Sequence, residues 1–312
     1  MPVYNAENWL MQSVNSIIGQ TLANWELIIV NDGSTDGSAQ LLEQFLDPRI
    51  RVFHQANAGV SAALNKALEY CNAPYIARQD ADDVSKPDRL LKTFHYLEEN
   101  KSIGLVGCHA DVIDEFGNLR THLQHPTSDA LIRYHMLWDS AFVSSTTMFR
   151  KSCIDEVGNF YTGSDRFEDF DMWSKISNHY RLANIPEALL YYRELTSGLS
   201  HVTKNSSQRV MNQRKVNIGT LFPDFMEVEL VGLARSGFER TSIDSVRVIK
   251  KILLRFNTRF KELGASSSEM EVINKDLIRR LEAFQFIKSS QNGELNLVRR
   301  IVEKIIYKLN IG

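Results

Sequence analysis

Over the first 110 residues, short apolar runs alternate with segments whose apolar positions recur every three or four residues. That pattern predicts strands joined by crossover helices into a mostly parallel sheet. Leu10, Val14, Ile17 and Ile18 mark one helix face, closed by Gly19, and Trp25 to Val30 reads as a buried strand. Leu41, Leu42, Phe45 and Leu46 predict a helix before a strand at Ile50 to Phe53. Val60, Ala63, Leu64, Ala67 and Leu68 predict another before Tyr75 to Ala77. A helix through Leu90, Leu91, Phe94 and Leu97 then leads to a strand around Leu105 to Gly107.

The pattern changes at Glu115-Phe116-Gly117-Asn118, which reads as a turn between strands. A helix through Leu131 and Met136 and a strand from Phe142 to Phe149 follow. Beyond about Ser200 only helical spacing remains, as at Val246, Ile249, Leu253, Phe256, Phe260 and Leu263, with linkers at Gly264–Ser268 and Ser289–Gly293. The expected class is α/β: a mixed sheet with flanking helices over residues 1–115 and 116–200, and a helical region over 201–312.

Composition adds bounds. With 43% hydrophobic and 24% charged residues in 312, the chain is expected to be globular with room for about two domains. It carries no apolar run of spanning length and no signal-peptide pattern, so a cytoplasmic location is expected, with peripheral contact on the inner face of the membrane as an extension. Cys71, Cys108 and Cys153, without a CxxC pair, are expected to be reduced core thiols. Residues 201–312 hold 20 Lys+Arg against 12 Asp+Glu, whereas residues 1–200 hold 16 against 26. An acidic front disfavours nucleic acid and suits a hard cation, while a basic tail suits an acidic surface or a second subunit.

Four polar clusters fall where strands end, the usual ligand position in open α/β sheets: Pro2 to Glu7, Asn31 to Ser38, Asp80 to Asp83, and Glu168 to Asp171. Asp80, Asp82 and Asp83 crowd like charge that a cation would relieve, and an all-oxygen set suits Mg²⁺ or Mn²⁺. The structural alternative is that Asp83 or Ser85 caps the next helix. Asp32 could accept from a base N–H such as the uracil imide, or could serve turn chemistry alone. Glu168 is explained by a capping box begun at Asp165. Asp169 has no such explanation. It lies in the first turn of a helix anchored by Phe170, Trp173 and Ile176, where general-base work finds a fixed carboxylate.

The segments PVYNAENWL, WELIIVNDGSTDGS, ANAGVSAALNKAL, YIARQDADD, FVSSTTMFRK and RFEDFDMW occur in the order found in the inverting glycosyltransferases of family 2, and residues 1 to 200 resemble that family. The resemblance implies the GT-A Rossmann-like fold and transfer of a sugar from a nucleotide-diphosphate donor, a UDP-sugar, to an acceptor hydroxyl. The setting it implies is bacterial cell-surface polysaccharide or glycoconjugate assembly. It further implies that Pro2, Tyr4, Glu7 and Asp32 line the base and ribose pocket with Arg78, that Asp80 meets the ribose or metal, that Asp82 is the main ligand of Mn²⁺ or Mg²⁺, and that Asp169 is the catalytic base.

The chain also departs from the family. Leu64 stands where an arginine often precedes the helix asparagine, here Asn65, and Leu195 stands where a histidine often follows Tyr192-Arg193. His201 is the candidate replacement at the metal.

Rival readings are a nucleotidyltransferase, disfavoured because PVYNAENWL has no basic Gly-rich loop, and a catalytically inactive nucleotide-sugar-binding scaffold. A processive synthase is disfavoured by the missing QxxRW motif and membrane spans. The acceptor is expected to be a glycan or lipid-linked glycan. The basic tail, with Ile301, Val302, Ile305, Ile306 and Leu309 opposite Arg299, Arg300, Lys304 and Lys308, is expected to pack in a bundle, to form a homo-oligomer, or to meet a membrane. Because the first strand belongs in mid-sheet and only Met1 to Tyr4 are available for it, four to six apolar residues are expected before Met1, or another segment in that slot.

Overall fold

The computed structural model describes residues 1–157, 161, 168–195, 207–225 and 246–282. They fall into two compact units: Met1–Ile132 with Ser140–Thr203, and Arg133–Asp139 with Lys204–Gly312. His201, the Asp165 start of the capping box, the Ser289–Gly293 linker and the Arg299–Leu309 segment lie outside the described residues.

In the first unit, β1 (Pro2–Val3), β2 (Leu27–Asp32) and β3 (Ile50–Gln55) form a parallel three-stranded sheet in that order. All six β2 residues are buried, as a continuous apolar run in a sheet covered on both faces requires. Helix α1 (Leu10–Ile18) buries Leu10, Val14 and Ile17 against Val3, Leu27 and Ile29. Helices α2 (Ser38–Leu42) and α3 (Val60–Tyr70) make the following crossovers. Among the described residues β1 pairs with β2 alone, through a two-residue ladder.

The second sheet has β4 (Tyr75–Ala77), β5 (Val84–Ser85), β6 (Ile103–Ile113), β7 (Leu119–Leu123), β8 (Met148–Arg150) and β9 (Arg181–Arg193), ordered β4-β8-β6-β9-β5 with β7 on β6. β6 and β9 are parallel, while β4–β8, β6–β8, β6–β7 and β5–β9 are antiparallel. Helices α4 (Arg89–Glu99), α5 (Asp129–His135), α6 (Ser152–Val157) and α7 (Glu168–Ser177) complete the first unit's elements, α5 running into the second. The GT-A-type α/β architecture expected from the sequence is therefore present.

Gly19 closes α1 as expected, although at φ −80° and so without a left-handed turn. Several local expectations are corrected. The helix expected through Leu46 stops at Leu42, and Leu46 is 89% exposed. Of the expected Phe142–Phe149 strand only Met148 and Phe149 join a strand, β8, since Ser144–Thr146 forms a 3-10 turn. β9, the longest strand, has no counterpart in the sequence reading. Its Pro186 and the helix-favouring Glu187-Ala188-Leu189-Leu190 mask it. The register jumps from Cys108↔Ile185 to His109↔Ala188 around that proline, leaving the missing N–H without a ladder duty.

The second unit is described by α8 (Ser207–Leu221), α9 (Val246–Glu262), α10 (Ser267–Glu282) and Arg133–Asp139. Phe222, Phe256 and Phe260 are fully buried, with the rings of Phe222 and Phe256 stacked at 4.4 Å. Asn257 and Asn274 hydrogen-bond across α9 and α10 at 2.9 Å, a buried amide pair that fixes their register. Ser266 and Glu269 make the capping box that starts α10 after Gly264, whose φ is +81°. No described helix is long and apolar enough to cross a membrane. Cys71, Cys108 and Cys153 are free thiols; Cys108 and Cys153 are buried as expected, whereas Cys71 is only half-buried and not the core thiol expected.

Candidate functional site

The loops after β1 and β2 are laced together by short polar side chains. Ser34 Oγ accepts from Asn5 N–H at 3.1 Å, Ser38 Oγ from Ala6 N–H at 2.9 Å, and Asp36 from Glu7 N–H at 3.1 Å. Glu7 Oε2 in turn accepts from Gly37 N–H at 2.6 Å, and a Cβ at Gly37 would stand 2.7 Å from that oxygen. Asn5 takes the left-handed conformation, φ 49°, and its side-chain Oδ1 accepts from Thr35 N–H at 2.8 Å. Tyr4 is 52% exposed beside this lacework, and Pro2 is half-buried opposite Val30.

Asp32 ends β2 with its carboxylate buried. Oδ1 accepts from Gln55 Nε2 at 2.6 Å and Ala58 N–H at 2.9 Å, and Oδ2 from Gly59 N–H at 2.8 Å. It thus holds the loop that enters α3, whose first turn it also favours electrostatically. Asn65 on that helix turns to Tyr161. Its amide brackets the Tyr161 backbone, donating to the carbonyl at 2.9 Å and accepting from the N–H at 3.1 Å.

The acidic loop after β4 is fixed through its backbone. Ser13 Oγ donates to Asp80 O at 2.9 Å, Ser145 Oγ accepts from Asp80 N–H at 2.9 Å, and Gln79 Nε2 donates to Asp83 O at 2.9 Å. Arg193, at the end of β9, is the largest clamp. Its backbone N–H binds Asp83 Oδ1, Nε binds Asp82 O, Nη1 binds Asp114 O and Glu115 O, and Nη2 binds Gln12 Oε1. Asp83 therefore caps a strand end, and Ser85 bonds Gln79 and Arg89; neither caps α4. Arg89 is buried beneath the loop, its Nε on Ser85 Oγ and its Nη2 on Gln79 Oε1.

These restraints leave the Asp80 and Asp82 carboxylates for other work. Asp80 Oδ1 pairs with Arg78 Nη2 at 2.8 Å, while Arg78 itself is buried with its guanidinium 5.4 Å from the Tyr161 ring centroid. Burial, and then the Asp80 charge, push Asp82 up to about 6. Burial and both neighbours hold Asp83 well above the carboxylate range.

Helix α7 supplies the facing acids. Phe170, Met172, Trp173 and Ile176 are buried, and Trp173 meets Phe149 and Phe142 edge-on at 5.8 and 6.3 Å, so the helix start is rigidly seated. Asp169 Oδ2 accepts from Ser144 Oγ at 2.6 Å and Oδ1 from Phe170 N–H at 2.6 Å. Burial raises Asp169, opposed by the Ser144 hydroxyl and Arg78. Burial and the Asp169 charge push Glu168 up to about 7. Arg78 and Asp80 act electrostatically on both acids, which joins the acidic loop and the α7 turn into one site.

Among the described residues no three or more His, Cys, Asp or Glu side chains gather into a metal cage. The donor set nevertheless fits a hard cation. Asp82 and Asp80 repel each other, and Arg78 takes up only Asp80 Oδ1. Such an ion commonly uses one or two carboxylates and fills its remaining positions from water and phosphate. Sequence reasoning missed Ser144, Ser145 and Arg89, and noticed Arg193 only as a neighbour of Leu195. The signal for the serines was a run of four hydroxyl residues, Ser144 to Thr147, between apolar neighbours.

The profile of glycosyl transferase family 2 matches residues 1–158. The chain is 34% identical over 201 residues to glycosyltransferase EpsE of Bacillus subtilis, covering 62% of this chain and 71% of that protein. It is 33% identical over 199 residues to the O-antigen biosynthesis glycosyltransferase WbnJ of Escherichia coli, covering 62% and 77%. In fold it is similar to S. aureus TarS 1-349 solved with UDP-GlcNAc, with TM-score 0.62 and 16% identity over 98% of this chain and 90% of that one. With that family's profile covering half of its length, the chain belongs to glycosyl transferase family 2.

Proposed function

We propose that the protein transfers a sugar from a UDP-sugar to an acceptor hydroxyl with inversion, with Asp169 as the base and a divalent cation, Mn²⁺ or Mg²⁺, at Asp82 and Asp80. The observation that carries this reading is that the Arg78–Asp80 ion pair of the acidic loop acts electrostatically on both Glu168 and Asp169 of α7. A donor's leaving group and an acceptor's proton need opposite charges side by side, and the Arg78 guanidinium among these carboxylates offers both. The solved neighbour's UDP-GlcNAc favours a uridine donor, and the O-antigen relative favours a glycan or lipid-linked glycan acceptor in cell-surface polysaccharide assembly.

In the proposed reaction the acceptor oxygen forms a bond to the anomeric carbon on the face opposite the diphosphate. The bond from that carbon to the phosphate oxygen breaks, its electron pair leaves with the diphosphate, and Asp169 takes the hydroxyl proton. One such displacement inverts the carbon. Asp82 and Asp80 would hold the cation, which when bound would offset the negative charge on the leaving diphosphate. Tyr4 offers an exposed ring face to the base beside Pro2, while Asp32 and Glu7 shape the base and ribose pocket by fixing its loops. Arg78 keeps Asp80 in place from below.

Calorimetry of UDP with Mn²⁺ tests the donor half. Asp82→Ala is expected to weaken UDP binding about tenfold or more in Mn²⁺ and to change little in EDTA. Equal affinity of parent and variant in Mn²⁺ would overturn the assignment of Asp82.

A further inference from the structure

Two consecutive serines reach the two halves of the site from one turn. Ser144 Oγ donates to Asp169 Oδ2 at 2.6 Å, and Ser145 Oγ accepts from Asp80 N–H at 2.9 Å. The turn that carries them is locked. Thr146 N–H and Oγ1 both bond Val143 O, at 2.9 and 2.7 Å, and Thr147 N–H and Oγ1 both bond Ser144 O, at 3.1 and 2.7 Å. Ser145, Thr146 and Thr147 are wholly buried. On one side Thr147 O accepts from Arg78 N–H at 3.0 Å, extending the β4–β8 ladder towards the acidic loop. On the other, Phe142 and Phe149 flank Trp173 of α7. Gly107 leaves the space this needs, since a Cβ there would meet Asn184 Oδ1, Phe142 and Thr146 Oγ1.

We propose that Ser144 is a positioning residue for the base: its hydroxyl, borne on the same rigid turn that holds Asp80, sets the orientation of the Asp169 carboxylate and its distance from the donor's acidic loop. The inference rests on the reading of Asp169 as the base. An ionised carboxylate only accepts hydrogen bonds, so Ser144 donates, and the short O–H···O⁻ contact is of the charge-assisted kind. With Phe170 N–H on Oδ1 and Ser144 on Oδ2, both torsions of Asp169 are fixed. Each oxygen keeps a free lone pair for an incoming hydroxyl. A donor to the charged form also lowers proton affinity, which offsets part of what burial raises. Among the described residues the charged groups acting on Asp169 are Glu168 on its own helix and Arg78 and Asp80 from the β4 side, and none of them is altered by a change at Ser144.

The experiment compares the parent chain with Ser144→Ala, Ser144→Thr and Asp169→Asn. In ¹³C-carboxyl NMR of the whole protein, with Asp169→Asn giving the assignment, the Asp169 midpoint is expected to move to higher pH in Ser144→Ala and to return in Ser144→Thr. Release of UDP from the UDP-hexose that the parent hydrolyses fastest, with Mn²⁺ and water as acceptor, is expected to fall about tenfold in kcat with KM unchanged. Its acid limb should shift with the NMR midpoint, and Ser144→Thr should recover the rate. An unmoved Asp169 midpoint in Ser144→Ala overturns the inference, as does a loss that appears in UDP affinity and not in kcat. Full hydrolysis by Asp169→Asn overturns the base assignment itself. An inactive Asp169→Asn beside an unchanged Ser144→Ala sinks the positioning role alone.

Discussion

The carboxylates after β1 and β2 differ from those after β4 and at the start of α7 in how many donors their own chain offers them. Asp32 receives three hydrogen bonds, and Glu7 Oε2 receives Gly37 N–H. Burial alone would raise Asp36, yet Ser38 and the N–H groups of Ser38 and Glu7 hold it below its usual value. Asp82, Asp83, Glu168 and Asp169 all move the other way, because burial and mutual repulsion outweigh the donors they have. The same residue type thus has two uses. Where N–H groups saturate an acid it organises loops, and where they do not it stays ready to take a proton or a cation.

The largest expected effect breaks the second group. Asp169→Asn should lower turnover by about 10²–10⁴-fold while UDP affinity in Mn²⁺ stays near the parent's, since the amide keeps the shape and loses the basicity. Single-turnover kinetics alongside calorimetry check this. A collapse of UDP affinity with preserved turnover of bound donor would move Asp169 to the binding group.

Next in size is a pH effect that separates the two groups by stability. Glu168 titrates at about 7 in the folded chain against 4.5 for an ordinary glutamate. Between those values the folded chain keeps a proton that the unfolded chain releases, so its contribution is present below about pH 4.5 and lost as pH rises to 7. Glu168→Gln removes the ionisation. Urea unfolding should show the parent losing about 2–4 kcal/mol more than Glu168→Gln between pH 5 and pH 8. Parallel curves would show that Glu168 is already satisfied.

The first group was the more legible in sequence. Leu27 to Asp32 announces a buried parallel strand, and the Gly and Ser residues after it announce a turn that needs polar closure. Position at the strand ends brought out Asp80, Asp82 and Asp169 as well. The sequence did not disclose what surrounds them. Arg193 meets Asp82 and Asp83 from more than a hundred residues away, at the end of a strand whose local preference reads as helix. Ser144 and Ser145 sit in what reads as a strand, and only the Gly107 gap, the Trp173 anchor and the locked threonines turn them towards two different acids. Local pattern is a good guide to elements whose partners are adjacent in sequence, and a poor one to side chains placed by long-range packing.

The smallest effect sharpens the boundary between the groups at Asp32, which the family resemblance assigns to the nucleotide pocket and the structure ties to the α3 entry. Asp32→Ala leaves Ala58 N–H, Gly59 N–H and Gln55 Nε2 without their acceptor. Each such group costs up to about 1–3 kcal/mol where water cannot replace the bond, but the loop residues Asn57 and Ala58 are exposed and water will satisfy part of the loss. A destabilisation of about 1–3 kcal/mol is therefore expected, with a fall of several degrees in Tm. UDP affinity should fall less than in Asp82→Ala and in step with stability, because the loop that closes the pocket loosens. If Tm is unchanged while UDP binding weakens and binding of inorganic diphosphate does not, Asp32 reads the base directly, and the division between structural and reactive acids has to be redrawn around it.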